Sequence, residues 1–128
     1  MDEETKRCQK MVIAIMLQNM KDMVLPYGVL NNRLACREAF DFIFNPRTIE
    51  YENFCYWCDL ANLNQRYWHQ LAVRNLAYEL SVKPWLRYRM MIYLKGEKNW
   101  QELRYYYKEC QKNGYHNCIE ALENEYID

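Results

Sequence analysis

The chain has 128 residues, of which 51% are apolar, so it is long and apolar enough to bury a core of its own and is not a disordered segment. Seventeen basic residues are balanced by seventeen acidic ones, which excludes a generic nucleic-acid coat held on by net charge. With only three glycines and three prolines, a sandwich of many short strands is disfavoured, and a single all-α domain over residues 1–128 is the expectation.

Glu3 to Val24 carries Val12, Met16, Met20 and Met23 at helical spacing, opens on acidic residues and stops before Pro26, which predicts a long first helix with a buried methionine stripe. Its apolar run from Met11 to Leu17 is too short to span a bilayer, and the start lacks the pattern of a secretion signal. A cytoplasmic setting with reduced thiols is therefore expected. Asn31 or Asn32 is placed to cap a second helix reaching Phe44, with Leu34, Ala35, Ala39, Phe42 and Ile43 on or near one side and Asn45-Pro46 as its stop.

A third helix is expected from about Tyr51 to Ala61 and a fourth from about Asn64 to Leu80, joined by the short Asn62-Leu63 link. The next stretch supports two readings. Pro84 suits the start of a helix ending at Gly96, while the weak alternation from Trp85 to Leu94 also fits a short strand or hairpin. Asn99 with Glu102 matches a capping box opening a helix to about Lys112, with Asn113-Gly114 as its stop, and Asn117 with Glu120 repeats that pattern for a last helix to Tyr126.

The segment from Trp57 to Leu71 holds the most specific pattern. A bihelical unit needs a small residue where its helices cross, a residue tolerant of left-handed backbone at the turn, and apolar side chains that fix the second helix. Cys58, Asn62, and Leu63, Trp68 and Leu71 supply these in order. Asn64, Gln65, Arg66, His69 and Gln70 then face outward, and these are side-chain types that pair with base edges. Tyr67 and Arg74, together with Lys83, Arg87 and Arg89, are candidate phosphate contacts.

Over about residues 52–76 the chain resembles the helix-turn-helix of bacterial and bacteriophage regulators, and as a short aromatic-rich chain it looks like many small prophage proteins. The resemblance implies double-stranded DNA as partner, transcriptional control, and a second helix at about 64–76 that reads the major groove. A homodimer is the matching expectation, because a lone bihelical unit rarely binds tightly.

A protein-binding inhibitor or adaptor that seizes a host protein is the competing reading. Its candidate anchors are Tyr105, Tyr106, Tyr107 and Tyr115, next to an acidic tail. Cys55-x-x-Cys58 has the spacing of a zinc knuckle, with Cys110, His116 and Cys118 as a second cluster. The first pair lies inside an expected helix, however, so buried cysteines acting as small hydrophobes are anticipated and no metal or cofactor is expected. No phosphate loop or nucleophile motif occurs, and neither His69 nor His116 has a carboxylate nearby in sequence, so no enzymatic role is expected and His69 is read as a surface contact residue.

Overall fold

Asp2 accepts a hydrogen bond from the backbone N–H of Thr5 at 2.7 Å, and Glu3 and Glu4 occupy the first turn behind it, so the start of the chain is a well-capped helix N-terminus. In the computed structural model this helix, α1, spans Glu3–Met23 and buries Val12, Met16, Met20 and Met23 completely. The structure describes residues 2–26, 30–114 and 118–126, without the side chains of residues 30, 31 and 118.

Six further helices follow among the described residues, with no strand: α2 (Leu30–Phe44), α3 (Ile49–Leu60), α4 (Gln65–Val82), α5 (Leu86–Tyr93), α6 (Glu97–Asn113) and α7 (Cys118–Tyr126). The stretch after Pro84 is thus helical, which corrects the strand or hairpin alternative for 85–94. Leu86 and Met90, four residues apart, are the inward pair that alternation along a strand could not have buried alone. One hydrophobic core draws side chains from all seven helices, from Val12 and Phe40 to Leu103 and Leu122.

Several helix starts differ from those expected. Leu30 already belongs to α2, and the amide of Asn32 lies inside the helix and donates to the Pro26 carbonyl at 2.8 Å. Leu34, expected on the apolar side, is 51% exposed, whereas Ala39, Phe42 and Ile43 are buried as expected, joined by Cys36, Phe40 and Phe44. Thr48 caps α3 by accepting from Tyr51 N–H, so the helix begins at Ile49, two residues ahead of the anticipated start. Gly96, not Asn99, stands at the N-cap of α6, where its φ of 89° suits glycine, so Asn99 and Glu102 are internal and the capping box is not used. Asn117, the expected cap of α7, lies outside the described residues.

Asn62 sits between α3 and α4 with φ 54°, in the left-handed region. The Leu63 N–H donates to the Cys58 carbonyl at 2.8 Å and the Asn62 N–H to the Asp59 carbonyl at 3.2 Å, a Schellman-type closure that satisfies the end of α3. Asn64 then caps α4 by accepting from Tyr67 N–H at 2.9 Å. The two helices diverge from this turn. α3 packs chiefly on α2, whereas α4 packs chiefly on α6 and also meets α7, α1, α2 and α5, which makes it the central helix. Asn99 meets His69 and Tyr106 meets Arg74, so α4 and α6 run in the same direction with α5 as the return between them.

Arg89 is the unexpected core residue. It is 3% exposed and donates to the carbonyls of Met23 at 2.8 Å and Leu25 at 2.6 Å, satisfying acceptors left over at the end of α1. This corrects its reading as a phosphate contact.

Candidate functional site

Each side chain of the expected reading face has a distinct place. Asn64 is exposed and engaged as the α4 cap. Gln65 is half-buried, donating to Asp59 at 3.4 Å and accepting from the Cys55 thiol at 3.6 Å. Arg66 is exposed, with its Nη2 3.0 Å from Oε1 of Glu102. Tyr67 is exposed beside Trp68, Gln70 is half-buried, and the Arg74 guanidinium lies 4.9 Å from the Tyr106 ring centre. As expected, Trp68 and Leu71 are buried and Leu63 is half-buried.

Arg66, His69 and Arg74 therefore meet α6, while Trp68 on the other flank meets Tyr126 of α7. A major groove is about 12 Å wide and admits one helix, whereas packed neighbours stand about 8–10 Å away. A helix framed on both flanks presents its first turn, and only a narrow strip beyond it, to a partner.

His69 is not the surface residue anticipated. Its ring packs edge-on against Phe44 with centres 5.2 Å apart, and Nε2 lies 3.0 Å from Oδ1 of Asn99. The Asn99 amide nitrogen donates to the Lys95 carbonyl at 2.6 Å, which fixes the amide and makes its oxygen the acceptor. His69 Nε2 is then the donor of the neutral ring, and Nδ1 carries a lone pair 3.5 Å from Oε2 of Glu102. Burial holds the imidazole below its ordinary pKa, with Arg66 and Lys98 adding to that effect, while Glu102 and the Asn99 hydrogen bond oppose it.

Beside this cluster is a cleft of about 890 Å³. Arg47 from the α2–α3 turn, Arg66 from the first turn of α4, and Lys95 and Lys98 from the α5–α6 junction surround it. Phe44, Tyr51 and Phe54 are its aromatic lining, with Phe44 and Phe54 buried beneath and Tyr51 half-buried, and Gln65, His69 and Asn99 give it polar edges. No aspartate or glutamate lines it among the described residues. Three of the seven expected nucleic-acid contacts, Gln65, Arg66 and His69, are thus brought together here, and Asn64, Tyr67, Gln70 and Arg74 are not part of the lining.

Sequence reasoning missed Arg47, Lys95 and Lys98, which lie in stretches read as helix punctuation, and Glu102, which had been assigned to a cap. Lys83 is paired with Glu79 at 3.0 Å and Arg87 is exposed. Cys58 is fully buried, and burial, with Cys55 and Asp59 adding to it, pushes its thiol up to about 12. No group of three or more His, Cys, Asp or Glu is arranged to hold a metal among the described residues; His116 and the side chain of Cys118 lie outside them.

Among the described candidate tyrosine anchors, the rings of Tyr105 and Tyr106 pack edge-on with centres 5.2 Å apart. Tyr105 is 59% exposed, Tyr106 is half-buried beside Arg74, Tyr107 is half-buried against the core, and Tyr115 lies outside the described residues. No helix among the described residues is long and apolar enough to cross a membrane. No family model matches this chain, and no curated protein or solved structure matches it.

Proposed function

We propose that this chain is a cytoplasmic nucleic-acid-binding regulatory protein that grips the phosphate backbone at the cleft beside the first turn of α4. The observation that carries the reading is the gathering of Arg47, Arg66, Lys95 and Lys98 around one cleft whose described lining has no carboxylate, on a chain with no net charge. A local concentration of one sign focuses the field even where the whole molecule is neutral. Half-buried Tyr51 is the one aromatic ring of the described lining with a face open to a base, and Asn64 and Tyr67 stand on the same first turn of α4, beside where a sugar or phosphate would lie.

The mode differs from a recognition helix laid in the major groove, because α6 and α7 flank α4. Backbone contacts dominate, so affinity per copy is modest and strongly salt-dependent, and a homodimer is the natural way to reach tight, regulatory binding. With about three or four phosphates neutralised on duplex DNA, log affinity should fall against log salt with a slope of roughly −3.

Fluorescence anisotropy with labelled duplex and single-stranded oligonucleotides at low salt tests this reading. Saturable, salt-sensitive binding is expected, weakened roughly tenfold or more by the double substitution Arg47→Gln and Lys98→Gln while circular dichroism stays unchanged. Absence of a saturable complex with either nucleic acid, or full retention of binding by the double variant, would remove the proposal.

A further inference from the structure

α5 is apolar on both sides. Leu86 and Met90 are buried, yet Trp85, Tyr88, Met91 and Ile92, related by three- and four-residue steps, share the opposite face. Tyr88 is 73% exposed and Met91 66%. A helix with apolar residues all round is normally covered all round, and a contiguous exposed apolar patch marks a docking surface. The patch borders a groove of about 700 Å³ lined by Trp85, Tyr88, Ile92 and Tyr93 together with Pro26 and the two arginines Arg33 and Arg89.

Charge selects the occupant. Lys83 is paired with Glu79 and Arg89 is buried, so the exposed charges on and just past α5 are the basic Arg87 and Lys95. No carboxylate lines the groove among the described residues. A two-fold contact between copies would set this basic rim against itself, and like charges face to face are costly. A head-to-tail contact between copies closes only where its rotation generates a ring and otherwise builds open chains. Nucleic acid matches the charge and finds stacking surfaces in Trp85 and Tyr88, but none in the exposed aliphatic Met91 and Ile92, which call for an apolar partner.

We propose that α5 and its groove dock an acidic, amphipathic helical segment of a partner protein. The two turns of α5 span about 12 Å, which suits anchors at i, i+3 or i+4, and i+7 on such a segment. The partner's apolar residues cover Trp85, Tyr88 and Ile92, and its carboxylates meet Arg87 and Lys95. The groove and its apolar anchors lie outside the cleft, and of the residues invoked only Lys95 also lines it.

Selection of a displayed random-peptide library on the immobilised full chain, with the Tyr88→Glu variant as counter-target, tests the proposal. Tyr88 is exposed, so the variant should fold, and unchanged circular dichroism and unchanged oligonucleotide binding serve as its controls. Enriched peptides should carry net negative charge with apolar residues at helical spacing, and they should bind Trp85→Ala and Arg87→Glu roughly tenfold more weakly than the parent chain. No enrichment, enrichment of neutral or basic peptides, or equal binding to the Tyr88→Glu variant overturns the proposal. It is also overturned if Tyr88→Glu instead dissociates a sedimenting dimer, or abolishes binding to oligothymidylate or to anionic phosphatidylserine vesicles, since the face then belongs to a second copy, to nucleic acid or to a membrane.

Discussion

Nδ1 of His69 and Oε2 of Glu102 stand 3.5 Å apart with no hydrogen bond between them, in a site where Asn99 commits the ring's other nitrogen to donating. Two lone pairs face each other while the ring is neutral. A proton added at Nδ1 would bridge them, but burial opposes its uptake.

Stability should therefore fall as the solution becomes more acidic. The folded ring has a lower pKa than the unfolded one, so its contribution is fully present above the unfolded value of about 6.5 and is lost as pH falls through the folded value. Urea midpoints measured from about pH 7.5 to about pH 5 should decline across the histidine range, and His69→Gln should flatten that part of the profile. An unchanged slope in the variant would assign the dependence to other groups.

Asn62 should tolerate glycine and resist alanine. Its φ of 54° strains a residue whose side chain cannot bond locally, so Asn62→Ala is expected to cost about 1 kcal/mol, while Asn62→Gly stays within about 0.5 kcal/mol of the parent. Chemical denaturation of both variants measures the difference.

Asn75 is fully buried in α4, and neither atom of its amide has a hydrogen bond. Leucine keeps the same branched skeleton without the polar atoms. Asn75→Leu is expected to raise stability by roughly 1–3 kcal/mol, the desolvation penalty of an unmatched amide. A destabilised variant would show instead that the amide finds a partner in solution.

Arg89 and Arg87 are two residues apart and should behave oppositely. Arg89→Ala strips the acceptors at Met23 and Leu25 of a charged donor and is expected to cost on the order of 3 kcal/mol. Arg87→Ala on the exposed side should change stability by no more than about 0.5 kcal/mol. Thermal melts of the pair are sufficient to test this.

The helices were legible where spacing and caps act locally. The methionine stripe of α1, the reversal at Asn62, the start of α4 near Asn64 and the stop at Gly114 are all set by residues within a turn or two of one another. Long-range partners were not legible. Glu102 meets Arg66 across 36 residues and Asn99 meets His69 across 30, and neither pairing leaves a periodic trace. The bihelical pattern located the turn correctly, but it could not reveal that α6 would lie along the helix expected to read bases. Arginine at position 89 read as a surface charge because nothing local marks the end of a helix far upstream as its acceptor.

That arginine also bears on how quickly the molecule comes apart. Its bonds join positions 66 and 64 residues distant along the chain, so they can close only after the intervening helices have collapsed against each other. Interactions formed that late are weak or absent at the folding barrier. Loosening this clasp should hasten escape from the native basin while leaving the rate of entry nearly untouched, which makes it a determinant of lifetime more than of assembly speed.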